Sequence, residues 1–204
     1  SDIEKKIGEN CATLVDDGST LQLGIGSLPD AVLLSLREKN DLGIHSEMLS
    51  DGVVGLIEQG IVNNSRKTIH KGKSVVSFLM GTNRLYDFVD RNPAIEMHPV
   101  DYVNDPTVIM KNDKMVSINS CVQVDLMGQV ASESVGLKQI SAVGGQVDFV
   151  RGANMAKGGK SIIAIPSTAA GGRDSKIVPF LEQGAAVTTS RNDVNYIVTE
   201  YGIA

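Results

Sequence analysis

One carboxylate in the chain combines a chemically useful side chain with a setting that displays it. Glu47 follows a short apolar segment in the stretch Gly43-Ile-His-Ser-Glu47-Met-Leu-Ser-Asp-Gly52. We expect a strand over 42–46 that delivers Glu47 into a polar turn ending at glycine, where a side chain is presented rather than packed. A carboxylate can act as a covalent nucleophile towards an acyl thioester, because the sulfur is a good leaving group. Glu47 is therefore the first candidate for a catalytic residue.

Glycine turns could supply the other group that such chemistry needs. A bare peptide N–H in a glycine turn can approach a developing oxyanion closely. One such turn, with Gly24 and Gly26, follows the strand-like segment that begins at Leu21, and another lies at Gly144 and Gly145. Gly24 and Gly26 could equally serve close packing of a strand against a helix.

The common motifs for other chemistries are incomplete. Gly24-Ile-Gly26-Ser-Leu-Pro29 resembles a dinucleotide fingerprint but has proline at the third glycine, and Gly159-Lys-Ser161 ends a phosphate loop whose opening glycine is replaced by Asn154. No Gly-x-Ser-x-Gly hydrolase motif occurs. The three histidines show no ligand spacing with each other or with the cysteines, so we expect no metal site. These are His45, His70 and His98.

The composition is that of an ordinary globular chain. Of the 204 residues 42% are hydrophobic and 21% charged, enough for one sizeable domain. The net charge of -5, with scattered Lys and Arg, argues against a nucleic-acid partner. No apolar run approaches the ~20 residues that span a bilayer, and the charged start is unlike a signal peptide. We therefore expect a cytoplasmic protein, away from membranes, with free buried thiols at Cys11 and Cys121.

The elements that must position Glu47 follow from apolar spacing. A helix is predicted over 2–16, and strand, turn and helix then alternate over the first ~100 residues, which predicts an α/β fold with a mainly parallel open sheet flanked by helices. The second half is richer in strands, with an antiparallel hairpin expected from 115–124 and 128–134. The chain stops at 204 inside a strand-like run. We expect residues 1–204 to form a single domain, a fragment of a longer two-domain chain.

Several motifs in the right order carry a family resemblance over essentially the whole chain. They are Leu23-Gly-Ile-Gly26-x-x-Pro29, Gly43-Ile-His-Ser-Glu47-Met-x-Ser-Asp51-Gly52, Phe78-Leu-Met-Gly81, Asn119-Ser-Cys121, Asp125-Leu-Met-Gly-Gln129 and Gly144-Gly-Gln-Val-Asp-Phe149. Together they resemble the C-terminal domain of the acetyl-CoA hydrolase/transferase family, and within it the 4-hydroxybutyrate and butyrate:acetate CoA-transferases. The resemblance implies a CoA-transferase-like fold of the NagB/RpiA type.

The resemblance also implies a mechanism. Glu47 would take the family's nucleophile position and carry a glutamyl-CoA thioester in ping-pong transfer of CoA from an acyl-CoA to a short-chain carboxylic acid, with CoA as a substrate and no cofactor or metal. Gly24, Gly26, Gly144, Gly145 and Gln146 are the candidates for oxyanion stabilisation or CoA binding. Among them the Gly144–Gly145 turn is favoured. The implied partners are an N-terminal domain of the same protein and a second copy in a homodimer.

Three alternatives remain open at this point. Water in place of the acceptor acid would make the protein an acyl-CoA hydrolase, and without its N-terminal domain the chain would be a non-catalytic acyl-CoA-binding module. His45 shares the strand face of Glu47, so a general-base role has to be weighed. A buried, hydrogen-bonded histidine is the favoured interpretation, because the implied mechanism needs no base.

Overall fold

The computed structural model describes all 204 residues, which form seven α-helices and fifteen β-strands. The helices are α1 (Asp2–Thr13), α2 (Ser27–Ser35), α3 (Asp51–Glu58), α4 (Asn83–Val89), α5 (Val100–Val103), α6 (Pro106–Ile109) and α7 (Gln146–Met155). The first eight strands are β1 (Thr20–Leu23), β2 (Gly43–Leu49), β3 (Ser74–Leu79), β4 (Ile95–Met97), β5 (Met115–Ser120), β6 (Gln123–Asp125), β7 (Val130–Ala131) and β8 (Ser134–Val135). The rest are β9 (Lys138–Gln139), β10 (Lys160–Ala164), β11 (Thr168–Ala169), β12 (Asp174–Ser175), β13 (Ile177–Val178), β14 (Tyr196–Thr199) and β15 (Gly202–Ile203), with one 3-10 turn at Ala170–Gly172.

Eight strands form the central sheet, in the order β15-β14-β10-β5-β1-β2-β3-β4. Every neighbouring pair is parallel except β14 and β15. The central strands are covered on both faces: all four residues of β1 are buried, the polar Thr20 and Gln22 among them. The mainly parallel α/β fold predicted from the sequence is confirmed.

The strand order reverses at β1, and this reversal indicates where on the sheet a ligand site is expected. From β1 the chain steps outward to β2, β3 and β4 on one side, then returns to β5, β10 and β14 on the other. In open α/β sheets, ligands bind beyond the carboxyl ends of the strands near such a reversal. The carboxyl ends of β1, β2 and β5 meet there.

The second half departs from the predicted pattern in two places. The hairpin expected from 115–124 and 128–134 is limited to β6 and β7, where Gln123 lies opposite Ala131, while β5 joins the central sheet. The final strand-like run folds back on itself as the hairpin of β14 and β15, with Val198 opposite Ile203. No helix has the length and apolar character needed to cross a bilayer.

Candidate active site

Glu47 lies on a strand and not in the turn that we expected. β2 continues to Leu49, because Met48 and Leu49 still pair with Phe78 and Leu79 of β3. The side chain of Glu47 is half-buried and makes no hydrogen bond within the protein. A paired strand therefore fixes the backbone of Glu47 while its carboxylate stays free to meet a ligand.

The neighbouring histidine is part of the core. His45 is completely buried, and its Nε2 lies 2.9 Å from the carbonyl oxygen of Val103 in α5. Burial lowers the pKa of His45 to about 4, with the contact to Val103 acting in the opposite direction. The side chain is thus neutral at ordinary pH. This environment supports the structural interpretation of His45.

The favoured glycine turn lies against the Glu47 carboxylate. A Cβ atom placed on Gly145 would stand 2.7 Å from Glu47 Oε2 and 2.5 Å from Asn104 Nδ2. Both distances are shorter than carbon–oxygen or carbon–nitrogen contacts allow, so only glycine permits this approach. Gly144 has a φ of 59°, in the left-handed region that glycine adopts without strain.

Helix α7 begins at this turn and points its amino end towards the carboxylate. Gly145 is the residue that precedes the helix, and the first helical N–H with a backbone acceptor is that of Phe149, which donates to Gly145 O at 3.1 Å. The N–H groups of the preceding helical residues therefore have no partner in the helix. Unpartnered N–H groups and the helix dipole favour negative charge at this position.

Gln146 contributes to the site through its position and not through its side chain. Its Nε2 donates to Thr189 Oγ1 at 2.9 Å, which ties the amide to the later part of the chain. The backbone N–H of Gln146 is the first of α7. Gln146 therefore lies at the amino end of α7, and its side-chain amide is hydrogen-bonded to Thr189.

The other two glycine candidates lie at the same end of the sheet without touching Glu47. β1 pairs with β2 in the register Leu21 to Ile44, which brings Gly24 level with Glu47 just beyond the end of β1. A Cβ on Gly24 or Gly26 would meet no atom within 4 Å. Gly26 has a φ of 112° and precedes α2, so the backbone itself requires glycine there. Space around both residues is open.

Glu47 faces an open depression of about 480 Å³. The residues that line it are Glu47, Val100, Asp101, Asn104, Asp105, Pro106, Gly144 and Asp148. Three of its side chains besides Glu47 are carboxylates, and burial raises the pKa of Asp148. The depression is thus acidic, with the half-buried Glu47 and the exposed Gly144 in its wall.

Two further polar atoms near Glu47 lack partners. Asn104 Oδ1 and Ser77 Oγ are buried without a hydrogen bond, and Ser77 lies on β3 between the residues that pair with Ser46 and Met48. Buried polar atoms are normally satisfied, so both atoms are available to a water molecule or a ligand. Sequence reasoning missed Asn104, because α5 and α6 carry no motif and their approach to β2 is a tertiary feature.

The fold brings together two histidines whose sequence spacing gave no sign of a shared site. His70 and His98 are 28 positions apart along the chain, yet the fold brings both to Glu96 on β4. Chain spacing could not reveal this group, because its members come from a connection, an edge strand and the residue just beyond it.

Comparison with known proteins identifies the family. A model of the acetyl-CoA hydrolase/transferase C-terminal domain matches residues 81–204, a span that includes Gly144 and Gly145 but not Glu47. The chain is 71% identical to a 4-hydroxybutyrate coenzyme A transferase of Clostridium kluyveri, over 100% of the chain and 47% of that protein. It is 57% identical to a succinyl-CoA:cyclohexane-1-carboxylate CoA transferase of Geobacter metallireducens, over 99% of the chain and 46% of that protein.

A solved structure agrees with these matches. The crystal structure of a 4-hydroxybutyrate CoA-transferase from Porphyromonas gingivalis superimposes with a TM-score of 0.88 at 54% identity, covering 100% of this chain and 48% of that one. The chain spans about half the length of the curated relatives it matches. On the family match, it belongs to the acetyl-CoA hydrolase/transferase family.

Proposed function

We propose that this chain carries the nucleophile of a CoA-transferase, and that the nucleophile is Glu47. One observation carries the proposal. A half-buried carboxylate without a hydrogen-bond partner stands on a fixed strand, against a glycine turn and the unpartnered N–H end of α7. The names of the relatives as CoA-transferases support the reaction class.

In the first step, a carboxylate oxygen of Glu47 attacks the carbonyl carbon of an acyl-CoA. The tetrahedral oxyanion collapses, the carbon–sulfur bond breaks, and CoA leaves as a thiolate, which leaves an acyl-glutamyl anhydride. The thiolate then attacks the glutamyl carbonyl and expels the acyl group as a free carboxylate. Glu47 now holds CoA as a thioester.

The second half-reaction reverses these steps with another acid. The incoming carboxylate attacks the glutamyl thioester, CoA leaves and returns to the new acyl carbonyl, and Glu47 is regenerated. Every bond broken is matched by one formed, so the thioester energy is conserved and the reaction requires no metal or cofactor beyond CoA as a substrate.

The turn and helix around Glu47 fit the demands of these steps. Each step passes through an oxyanion, and donors fixed in advance stabilise such charge most effectively. The N–H groups at the start of α7 and the amide of Asn104 lie beside the carboxylate, around the open Cβ position of Gly145. Gly145 permits this arrangement, because a side chain there would push against both Glu47 and Asn104.

The proposed acceptors are short-chain carboxylic acids of the 4-hydroxybutyrate, butyrate and acetate class. The relatives named above differ in their acids, 4-hydroxybutyrate in one and cyclohexane-1-carboxylate in another, at 71% and 57% identity. A methylene or hydroxyl in a small pocket changes binding by ~1–3 kcal/mol, so family membership alone does not select the acid.

A second domain is proposed to complete the site. The depression at Glu47 is open, and Val100 on its wall is 51% exposed. Val143, next to the glycine turn, is 53% exposed. A covering domain would bury these side chains and keep water from the anhydride and thioester. The greater length of the relatives supports such a domain.

A steady-state assay tests the proposal. The two-domain form of the protein is given butyryl-CoA with or without acetate, and both acetyl-CoA formation and free thiol are measured. Transfer that requires acetate, shows ping-pong kinetics, and falls ~1,000-fold or more in Glu47→Gln supports the proposal. The matched control, Glu58→Gln, changes an exposed glutamate paired with Arg84 and should retain activity.

The openness of the depression motivates one competing outcome. If the second domain leaves water access to Glu47, the protein is an acyl-CoA hydrolase, which is the second candidate function. Thiol release at an equal rate with and without acetate would identify a hydrolase and reject the transferase. Retained transfer in Glu47→Gln would reject Glu47 as the nucleophile.

A further inference from the structure

A second polar cluster lies on the same face of the sheet as Glu47. Glu96 on β4 pairs in register with Val75, which pairs with His45 on β2, so Glu96 and His45 project from one face. His98 continues the ladder, since its N–H donates to Val76 O at 2.9 Å, and it shares that face two residues on. Together with His70, these two residues form a group at the sheet edge.

The three side chains converge on one small volume. His70 Nδ1 lies 2.8 Å from Glu96 Oε2, and His98 Nε2 lies 3.3 Å from the same oxygen. One ligand atom from each residue lies within 4.8 Å of the other two. The side chains are 22%, 34% and 31% exposed, so the group is held by the fold and still open to an incoming ion.

We propose that His70, Glu96 and His98 form a binding site for a divalent transition-metal ion, with Zn²⁺ as the best fit. Two imidazoles and one carboxylate suit Zn²⁺, Co²⁺ and Ni²⁺, and this ligand set leaves a coordination position for water. With Zn–N and Zn–O bonds near 2.0–2.1 Å, tetrahedral ligand atoms stand ~3.3 Å apart. The separation of His98 Nε2 from Glu96 Oε2 already equals that value, His70 Nδ1 would move away from Glu96 by about half an ångström, and all three atoms lie within 4.8 Å of one another.

The surroundings of His70 supply the support that metal-binding histidines have. Its Nε2 lies 2.7 Å from the hydroxyl of Tyr102, so Nδ1 can ligate an ion while Nε2–H donates to Tyr102. The backbone of His70 has a φ of 50°, an uncommon conformation for a residue other than glycine. The chain holds this ring in position at some local conformational cost, as functional residues often are.

The ion would cross-link the connection before β3 to β4, and it would take no part in the transfer chemistry. His70 belongs to the connection before β3, Glu96 to the three-residue edge strand β4, and Tyr102 to α5. β4 is separated from β2, which carries Glu47, by the whole of β3. The metal proposal therefore does not depend on the proposed function, although α5 carries Tyr102 and ends beside Asn104.

Cobalt binding tests the proposal directly. Chelator-treated chain is titrated with Co²⁺ while its visible absorption is recorded, and Zn²⁺ binding is measured by calorimetry. We expect one ion per chain, and binding at least tenfold weaker in His98→Gln and in Glu96→Gln. Both free thiols are buried, so they should not compete for the ion. The control Glu38→Gln alters an exposed glutamate and should bind as the parent chain does.

The folding of each variant is checked by its thermal midpoint without metal. A variant that melts as the parent does but loses the ion supports the site, and so does a midpoint raised by Zn²⁺ in the parent alone. Equal Co²⁺ affinity in the parent and both variants would overturn the proposal. No binding by the parent chain would overturn it too, and would leave the cluster as a hydrogen-bonded group only.

Discussion

Two glutamates on the same face of the sheet have opposite surroundings. Burial acts to raise the pKa of Glu96, but hydrogen bonds from His98 and His70 outweigh it and hold that pKa below its ordinary value. Glu47, two strands away, has no hydrogen-bond partner and stands against a glycine turn and a helix amino end. The Glu96 carboxylate is hydrogen-bonded within the protein, whereas the Glu47 carboxylate is not.

The difference follows from what covers each strand. At β4 the fold supplies side-chain donors, so Glu96 is satisfied within the protein. At β2 it supplies Gly145, which has no side chain, and backbone N–H groups whose positions are fixed. A fixed backbone donor can serve a charge that appears only during a reaction, whereas a paired histidine would neutralise the nucleophile beforehand.

Apart from the loss of Glu47 itself, the largest effect should come from filling the gap beside it. Gly145→Ala places a Cβ 2.7 Å from Glu47 Oε2, and displacing a nucleophile by about an ångström costs ~100-fold in rate. The φ of Gly145 is -90°, which alanine adopts readily, so the effect arises from contact and not from backbone strain. Steady-state transfer measures it. Gly55→Ala, with open space around its Cβ, is the control, and equal activity in both variants would refute the close approach.

A buried histidine should make the stability of the Glu47 strand acid-sensitive. The pKa of His45 is about 4 in the folded protein and near 6.5 when unfolded, so between these values the unfolded state binds the extra proton. The free energy of unfolding should therefore fall by about 3 kcal/mol as the pH drops from 6.5 to 4. Urea unfolding at several pH values measures this loss.

Replacing His45 or His98 with glutamine separates the loss of stability due to His45 from the effect of other titrating groups. His45→Gln should flatten the acid limb of the stability curve, because glutamine does not titrate. His98→Gln, at a half-exposed site and without metal, should leave most of that limb in place. Parallel curves for the parent and His45→Gln would contradict the buried neutral histidine.

The acidic wall of the depression should have a small effect on substrate binding. Asp101 is exposed and lines the depression, so Asp101→Asn should lower the KM for an anionic acceptor about twofold at low salt. Added salt should remove the difference, because the Debye length is ~10 Å at 0.1 M. Asp113→Asn, at the opposite end of the sheet before β5, should leave the KM unchanged. An equal change in both variants would mean that net charge, and not the depression, is responsible.

The smallest effect on transfer should come from the edge cluster. Glu96→Gln should change the transfer rate less than about twofold, since β3 separates β4 from β2. Conversely, Glu47→Gln should leave Co²⁺ binding intact. Loss of both CoA transfer and Co²⁺ binding in either single variant would show that the two sites are coupled.

Much of the sheet could be predicted because its signals are local. Apolar runs such as Ser74–Leu79 and the alternation of strand and helix indicated a parallel α/β layer. Glu47 was identifiable for a similar reason, since the strand, the carboxylate and the glycine are contiguous in the sequence. Its place within β2 was predicted wrongly, because the pairing that extends β2 comes from β3.

The parts that were missed depend on distant contacts. Helix α7 has no capping side chain and contains β-branched residues and Gly152, so its sequence favours no helix strongly. Packing supplies the difference: Gly152 lies against Ile109 of α6, where a Cβ would come within 2.5 Å. Asn104 and the cluster around Glu96 were hidden in the same way, because their partners lie in other elements.

The most direct test of Glu47 as the covalent nucleophile is the mass of the peptide that contains it. The two-domain protein is incubated with butyryl-CoA, digested at mildly acidic pH, and analysed by mass spectrometry with and without hydroxylamine. We expect one CoA attached to Glu47 through a thioester, removed by hydroxylamine and absent from Glu47→Gln. Turnover without that adduct, or an adduct on another residue, would contradict that role of Glu47.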